Sequence, residues 1–256
     1  MAVKPRDSVF TTVMWDGGGS VADFIAHLAR LKNHAERLRI ELPSDLDLTV
    51  AKAICELGEG IEKTQRQLLT ISYSNSDNLD LTSRPLPKLR SSEIHGKTKP
   101  LHKWLGDVTG TKHGDWKPYL DARDDAEQSG ADISILVDDF TIVDTDRASI
   151  VVIDEDGTAY VSDSRLGVDG ITNQIVARAL KSIGIPVMKA RLNERMVARC
   201  EEILVTGTGI GCSKLVTIDG EMIGREKSLI FERCRDILAQ HYSNPDTWTN
   251  MCEYLQ

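Results

Sequence analysis

A chain of 256 residues, 41% hydrophobic and 27% charged, has room for one large domain or two smaller ones, each with a full core. A net charge of −8 argues against general nucleic-acid binding, which needs a basic surface, and suits a soluble cytoplasmic protein. No run approaches the ~20 apolar residues of a membrane helix, and the opening MAVKPRDSVF lacks the apolar stretch of a signal peptide. The five cysteines, Cys55, Cys200, Cys212, Cys234 and Cys252, are odd in number and none are in CxxC spacing, so reduced thiols are expected rather than disulfides or a metal site.

The first element reads as a strand over Val9 to Trp15, followed by a glycine-rich turn from Asp16 to Gly19. Ser20 then reads as a helix N-cap, with Asp23 in the capping-box position. The helix is expected to run to about Ile40, with Val21, Phe24, Ile25, Leu28, Leu31, Ala35 and Leu38 at helical period. Arg30 falls off this apolar stripe, on the polar side. A second helix is expected over Asp45 to Leu57. Arg84 to Lys103 contains Pro85, Pro87 and Pro100 and little periodicity. It reads as the crossing between a small domain, 1–103, and a larger one, 104–256.

Beyond it a helix over Pro118 to Ser129 closes at Gly130. Strands follow over Ile133 to Val137, Thr141 to Val143, Ile150 to Ile153 and Ala159 to Ser162, the last two joined by an Asp156-Gly157 hairpin turn. A helix from Thr172 to Ile183 ends at Gly184, and Val187 to Leu192 reads as a strand. Asn193 caps a short helix. Glu202 to Val205 and Lys214 to Ile218 are strands around a glycine-rich turn, Asp219-Gly220 makes a second hairpin, and a last helix starts near Arg225. Strands and helices alternate with many hairpins, so the class is mixed α/β with a largely antiparallel or mixed sheet.

Three strings could carry chemistry. Thr206-Gly207-Thr208-Gly209-Ile210-Gly211-Cys212-Ser213-Lys214 fails the Walker and dinucleotide patterns, and on its own it is either an anion contact or a tight turn. Gly167 to Thr172 precedes a helix, whose free N–H groups could seat a phosphate or simply be capped by Thr172. Lys112 in Gly110-Thr111-Lys112-His113-Gly114 is, taken alone, a lysine of the kind usually solvated.

Together these strings resemble the class IV aminotransferases, the fold type IV pyridoxal-phosphate (PLP) enzymes. Lys112, then Gly130-Ala131-Asp132 before a strand, Val143-Asp144-Thr145, Gly170-Ile171-Thr172, Gly184-Ile185-Pro186-Val187, Thr206-Gly207-Thr208-Gly209 and Ile218-Asp219-Gly220 follow the family's order. Val9-Phe10-Thr11-Thr12 and His27-Leu28-Ala29-Arg30-Leu31 resemble its N-terminal strand and helix. The resemblance implies a two-domain fold and PLP as cofactor. By it, Lys112 attaches the cofactor and moves the substrate proton. Asp144 faces the pyridine nitrogen. Arg30 and the backbone of Ile171 and Thr172 hold the phosphate. Thr208 holds phosphate or, with Gly209, substrate carboxylate. Lys103 and Lys117 lack the Gly-Thr lead-in of Lys112. The chain departs from the family at Asp144 (usually Glu), Ser149 (usually Asn) and Lys117, where some members have Tyr; Tyr119 stands nearby. The activity implied is amino-group transfer between an amino acid and a 2-oxo acid. The alternatives are a PLP-dependent lyase resembling 4-amino-4-deoxychorismate lyase, and a non-catalytic relative. A homodimer with small-molecule substrates, no membrane and no nucleic acid, is the expected assembly.

Overall fold

Residues 3–59, 65–76, 78–87, 92–225 and 229–256 are described by a computed structural model. In chain order the elements are β1 (Ser8–Trp15), β2 (Ser20–Ala22), α1 (Phe24–Leu38), α2 (Leu46–Gly58), β3 (Gln67–Ser74), β4 (Leu79–Pro85), β5 (Glu93–Pro100), α3 (Lys117–Gln128), β6 (Ile133–Asp138), β7 (Thr141–Thr145), β8 (Ser149–Asp154), β9 (Ala159–Ser162), α4 (Ile171–Ser182), β10 (Val187–Ala190), β11 (Leu192–Asn193), α5 (Glu194–Ala198), β12 (Cys200–Gly207), β13 (Gly211–Ile218), β14 (Glu221–Met222), α6 (Leu229–Ser243), β15 (Trp248–Asn250) and α7 (Met251–Tyr254). None of the described helices is long and apolar enough to cross a membrane.

Contacts divide the chain into two units. The first comprises Met1–Pro87, Thr111–Trp116 and Gln240–Gln256; the second comprises Lys88–Gly110 and Lys117–Ala239. Position 103, where the sequence suggests a boundary, lies inside the second unit, and the segment carrying Lys112 groups with the first.

The first unit is built on a sheet of order β15-β2-β1-β3-β4, antiparallel at each pairing. Alternation along β1 buries Val9, Thr11 and Val13 on one face, and α1 packs on β1. Phe24, Leu28, Leu31, Ala35 and Leu38 form the buried stripe of α1, while Ile25 is exposed. The expected cap at Ser20 is not formed. Ser20–Ala22 is a strand between β1 and β15, and α1 begins at Phe24 behind Asp23, whose φ is 54°. Asp16 accepts the N–H groups of Gly18 and Ser20 and closes the turn. α1 ends at Leu38, short of Ile40, with Arg39 in the left-handed region.

The expectation of reduced thiols throughout is corrected at one pair: Cys55 on α2 and Cys252 on α7 form a disulfide across 197 residues. Local spacing could not reveal it, because the pairing follows from the packing of α2 on α7. Cys200, Cys212 and Cys234 are free and buried.

The second unit holds a sheet of order β10-β9-β8-β12-β13-β5-β6-β7-β11, with β14 on β13. Its pairings are antiparallel except β9/β10, β5/β13 and β5/β6, so the sheet is mixed as the sequence suggests. The segment read as an irregular crossing contains β5, a central strand. Its partners are parallel and distant in sequence, so no hairpin signal marks it. Ile133, Ile135, Val152, Ile203, Val205 and Leu215 belong to its core. The strand expected over Val187 to Leu192 divides at Arg191 into β10 and β11, which join opposite ends of the sheet. Asn193 caps α5 as expected, accepting the Met196 N–H.

Candidate active site

In the first unit, β2 is short and pairs with β1 only at Trp15, so the Val9 end of that edge is open to another partner. Residues 112–114 take it: Val9 bridges His113, the Phe10 N–H donates to the Lys112 carbonyl at 3.1 Å, and the Gly114 N–H donates to the Ser8 carbonyl at 2.9 Å. The Lys112 N–H donates to His34 Nδ1 at 3.1 Å. The Lys112 backbone is therefore built into the fold through both its polar groups. Its Nζ lies 5.1 Å from the Phe10 ring centroid and 4.8 Å from that of Trp116. Two aromatic faces attract an ammonium at this range. By contrast, Lys103 and Lys117 are engaged in ion pairs with Asp138 and Asp121.

Arg30 is half-buried and faces β1 rather than solvent, which corrects its expected place on the polar side of α1. Its Nη2 donates to Thr11 Oγ1 at 2.9 Å and lies 3.4 Å from His27 Nδ1. Thr11 Oγ1 stands 3.0 Å from the same Nδ1. Arginine can only donate, so Thr11 gives its proton to Nδ1 and His27 carries its own proton on Nε2. Burial, then Arg30, then Lys112 hold the His27 pKa well below the usual imidazole range. The same causes in the same order, followed by Arg37 and His113, bring His34 down to about 3. Arg30 and Lys112 thus act on the same two imidazoles, and both imidazoles stay neutral. Two fixed cations beside neutral acceptors suit an anionic, aldehyde-bearing ligand.

The second unit contributes Asp144. β7 bulges against β6 between the pairs Leu136/Asp144 and Val137/Ile142, and the bulge re-aims the carboxylate. Asp144 is buried, and its Oδ2 accepts the Val168 N–H at 2.8 Å. This bond ties β7 to the loop that enters α4. Tyr119 is buried and stacks on Trp104 with centroids 6.0 Å apart. Burial, then Asp144, raises its phenol pKa.

Gly170 is the N-cap of α4, and Ile171 and Thr172 begin the helix, both buried. A Cβ on Gly170 would stand 2.6 Å from Ser149 Oγ, so the absence of a side chain lets β8 approach the helix start. Gly110, just before Thr111-Lys112, has φ +80°, and a Cβ there would meet the Arg165 carbonyl at 2.4 Å. Thr206 on β12 pairs across the sheet with Ser149, and the turn Thr208-Gly209-Ile210 joins β12 to β13. Thr208 and Gly209 are half-buried.

A PLP phosphate fits these residues on an observation separate from the motif. The buried Thr206 Oγ1, a hydroxyl able to donate to a phosphate oxygen, has no hydrogen-bond partner among the described residues, and it lies on the strand that pairs with Ser149 beside Gly170. Unsatisfied buried polar atoms beside a helix N-terminus call for a polar occupant. His34 is the residue sequence reasoning missed. Its signal was its spacing, two helical turns from His27 on the buried face of α1.

The profile of the family described as Amino-transferase class IV matches residues 8–218, and the chain belongs to that family, whose members use pyridoxal phosphate. It is 22% identical over 241 residues to the probable branched-chain-amino-acid aminotransferase of Rickettsia conorii, covering 88% of this chain and 81% of the relative. The T.th. branched-chain amino acid aminotransferase, crystallised with N-(5'-phosphopyridoxyl)-L-glutamate, shares the fold with a TM-score of 0.80 at 18% identity, covering 96% of this chain and 90% of the other. A protein assigned as 4-amino-4-deoxychorismate lyase superposes with a TM-score of 0.74 at 25% identity, covering 89% of each chain.

Proposed function

We propose that this protein transfers an amino group between an amino acid and a 2-oxo acid, with PLP attached to Lys112. The observation that carries the reading is the setting of that lysine: its backbone is fixed to β1 and His34, and its amine lies against two rings. A solvated surface lysine needs none of this. PLP, when bound, supplies the electron sink for the bond broken at the substrate Cα. Lys112 holds the cofactor and carries the proton to and from Cα. Asp144 keeps a proton on the pyridine nitrogen. Arg30 and the N–H groups of Ile171 and Thr172 would hold the phosphate, and Thr208 would hold phosphate or, with Gly209, the substrate carboxylate. The names of the relatives favour branched-chain amino acids and glutamate as first substrates to assay. A cytoplasmic location and a homodimer belong to the same proposal.

A second reading, the lyase, is supported by the 25% identity to the protein assigned that activity. Incubation of the PLP-loaded protein with L-leucine or L-valine and 2-oxoglutarate should produce glutamate. Pyruvate and 4-aminobenzoate released from aminodeoxychorismate, without amino transfer, would replace this reading with the lyase. Inactivity in both assays would leave the non-catalytic relative.

A further inference from the structure

We propose that His34 is a positioning residue for Lys112: by accepting the Lys112 backbone N–H it fixes where the ε-amine stands. The proposal rests on Lys112 being the cofactor lysine. His34 lies on the buried face of α1 and is 2% exposed. Its Nδ1 is 3.1 Å from the Lys112 nitrogen. On the other side of the residue, the Phe10 N–H holds the Lys112 carbonyl at 3.1 Å. The peptide groups flanking this Cα are therefore pinned by different elements, α1 and β1. A lysine side chain is a lever of ~6 Å, so a backbone rotation of about 10° moves Nζ by about 1 Å, enough to cost on the order of a hundredfold in a positioned reaction.

The acceptor role requires an unprotonated Nδ1. Burial and the neighbouring Arg30, Lys112 and Arg37 cations, with His113, keep the ring neutral. With Nδ1 accepting, the proton sits on Nε2. On the same helix His27 Nδ1 lies 3.4 Å from Arg30 Nη2, so two buried imidazoles of α1 stand against Arg30 and Lys112.

The test compares His34→Asn with His34→Gln. The Asn oxygen can stand where Nδ1 stands; the Gln amide lies one carbon further out. Each protein is mixed with PLP, reduced with borohydride at timed intervals, and digested, and the labelled Lys112 peptide is quantified by mass spectrometry. Affinity for pyridoxamine 5'-phosphate, which has no aldehyde for the lysine, is measured in parallel, with circular dichroism as the folding control. H34N should label within about threefold of the unaltered protein, while H34Q should label at least about tenfold more slowly with unchanged pyridoxamine phosphate affinity. Equal labelling by H34Q, or equally slow labelling by both variants, overturns the proposal. So does parallel loss of both ligands, or the unfolding of both variants, since each points to a general structural role. Failure of the unaltered protein to label at Lys112 overturns the proposed function and this inference with it; normal labelling there with no effect in H34Q overturns this inference alone.

Discussion

An imidazole that accepts a backbone N–H must stay unprotonated, and in His34 that requirement couples geometry to pH. Its pKa is about 3 in the fold, against 6.5 in an unfolded chain. As pH falls below 6.5 the unfolded state takes up a proton that the native state refuses, so stability is lost between that pH and about 3. Through this group alone, going from pH 7 to pH 5 should cost about 2 kcal/mol, and H34N, which cannot titrate, should lose about that much less in urea melts at the two pH values. Asp146 bends the curve the other way. It is buried, accepts the Ser134 N–H at 2.9 Å, and has its pKa raised to about 6, chiefly by burial. Its stabilising contribution is present below 3.8 and is lost as pH rises to about 6. Asp146→Asn should therefore stabilise the protein at pH 7.5 by about 3 kcal/mol and leave it unchanged near pH 3.5. At the residue scale, the order of motifs singles out Lys112 and Asp144 as candidates. Two structural features have no such signal: the hydrogen bond that fixes Lys112, which joins α1 to a segment 78 residues away, and the inward turn of Arg30, which depends on Thr11 across the β1–α1 packing.

At the scale of elements, the start of α4 depends on how closely β8 approaches it. Gly170→Ala would press a methyl group against Ser149 Oγ. The expected result is PLP affinity lowered by roughly tenfold, measured by fluorescence titration, with recovery in the double variant Gly170→Ala/Ser149→Ala, where the clashing hydroxyl is gone. Recovery would not occur if Ser149 itself were essential. The longer helices were legible where apolar residues recur at helical period, as along α1 and α4, whereas the four-residue α7 has no expectation in the sequence. The Asp156-Gly157 and Asp219-Gly220 hairpins were legible from turn chemistry, and Gly157 and Gly220 have positive φ. β2 was misread as a helix cap because three residues carry almost no alternation, and its second partner, β15, lies more than 200 positions away. β5 was hidden in the same way between partners that only the folded chain supplies.

For the whole molecule, the Cys55–Cys252 disulfide joins two cysteines of the first unit and closes a loop of 197 residues that contains the second unit's segments. A loop that long restricts the unfolded chain strongly, so reduction should lower stability by on the order of 4 kcal/mol and Tm by roughly 10 °C. Calorimetry with and without dithiothreitol checks this, and Cys252→Ser should melt low and be indifferent to the reductant. Composition and charge say nothing about which distant segments meet. The segment 111–116 shows why: its contacts assign it to the unit formed by the chain termini, although its neighbours in sequence belong to the other. The proposed function depends on the covalent use of one amine. Purified protein mixed with PLP and reduced with borohydride should carry a single phosphopyridoxyl group, mapped by peptide mass spectrometry to Lys112 and missing from Lys112→Ala. Label on another lysine, or full labelling of the variant, would contradict it.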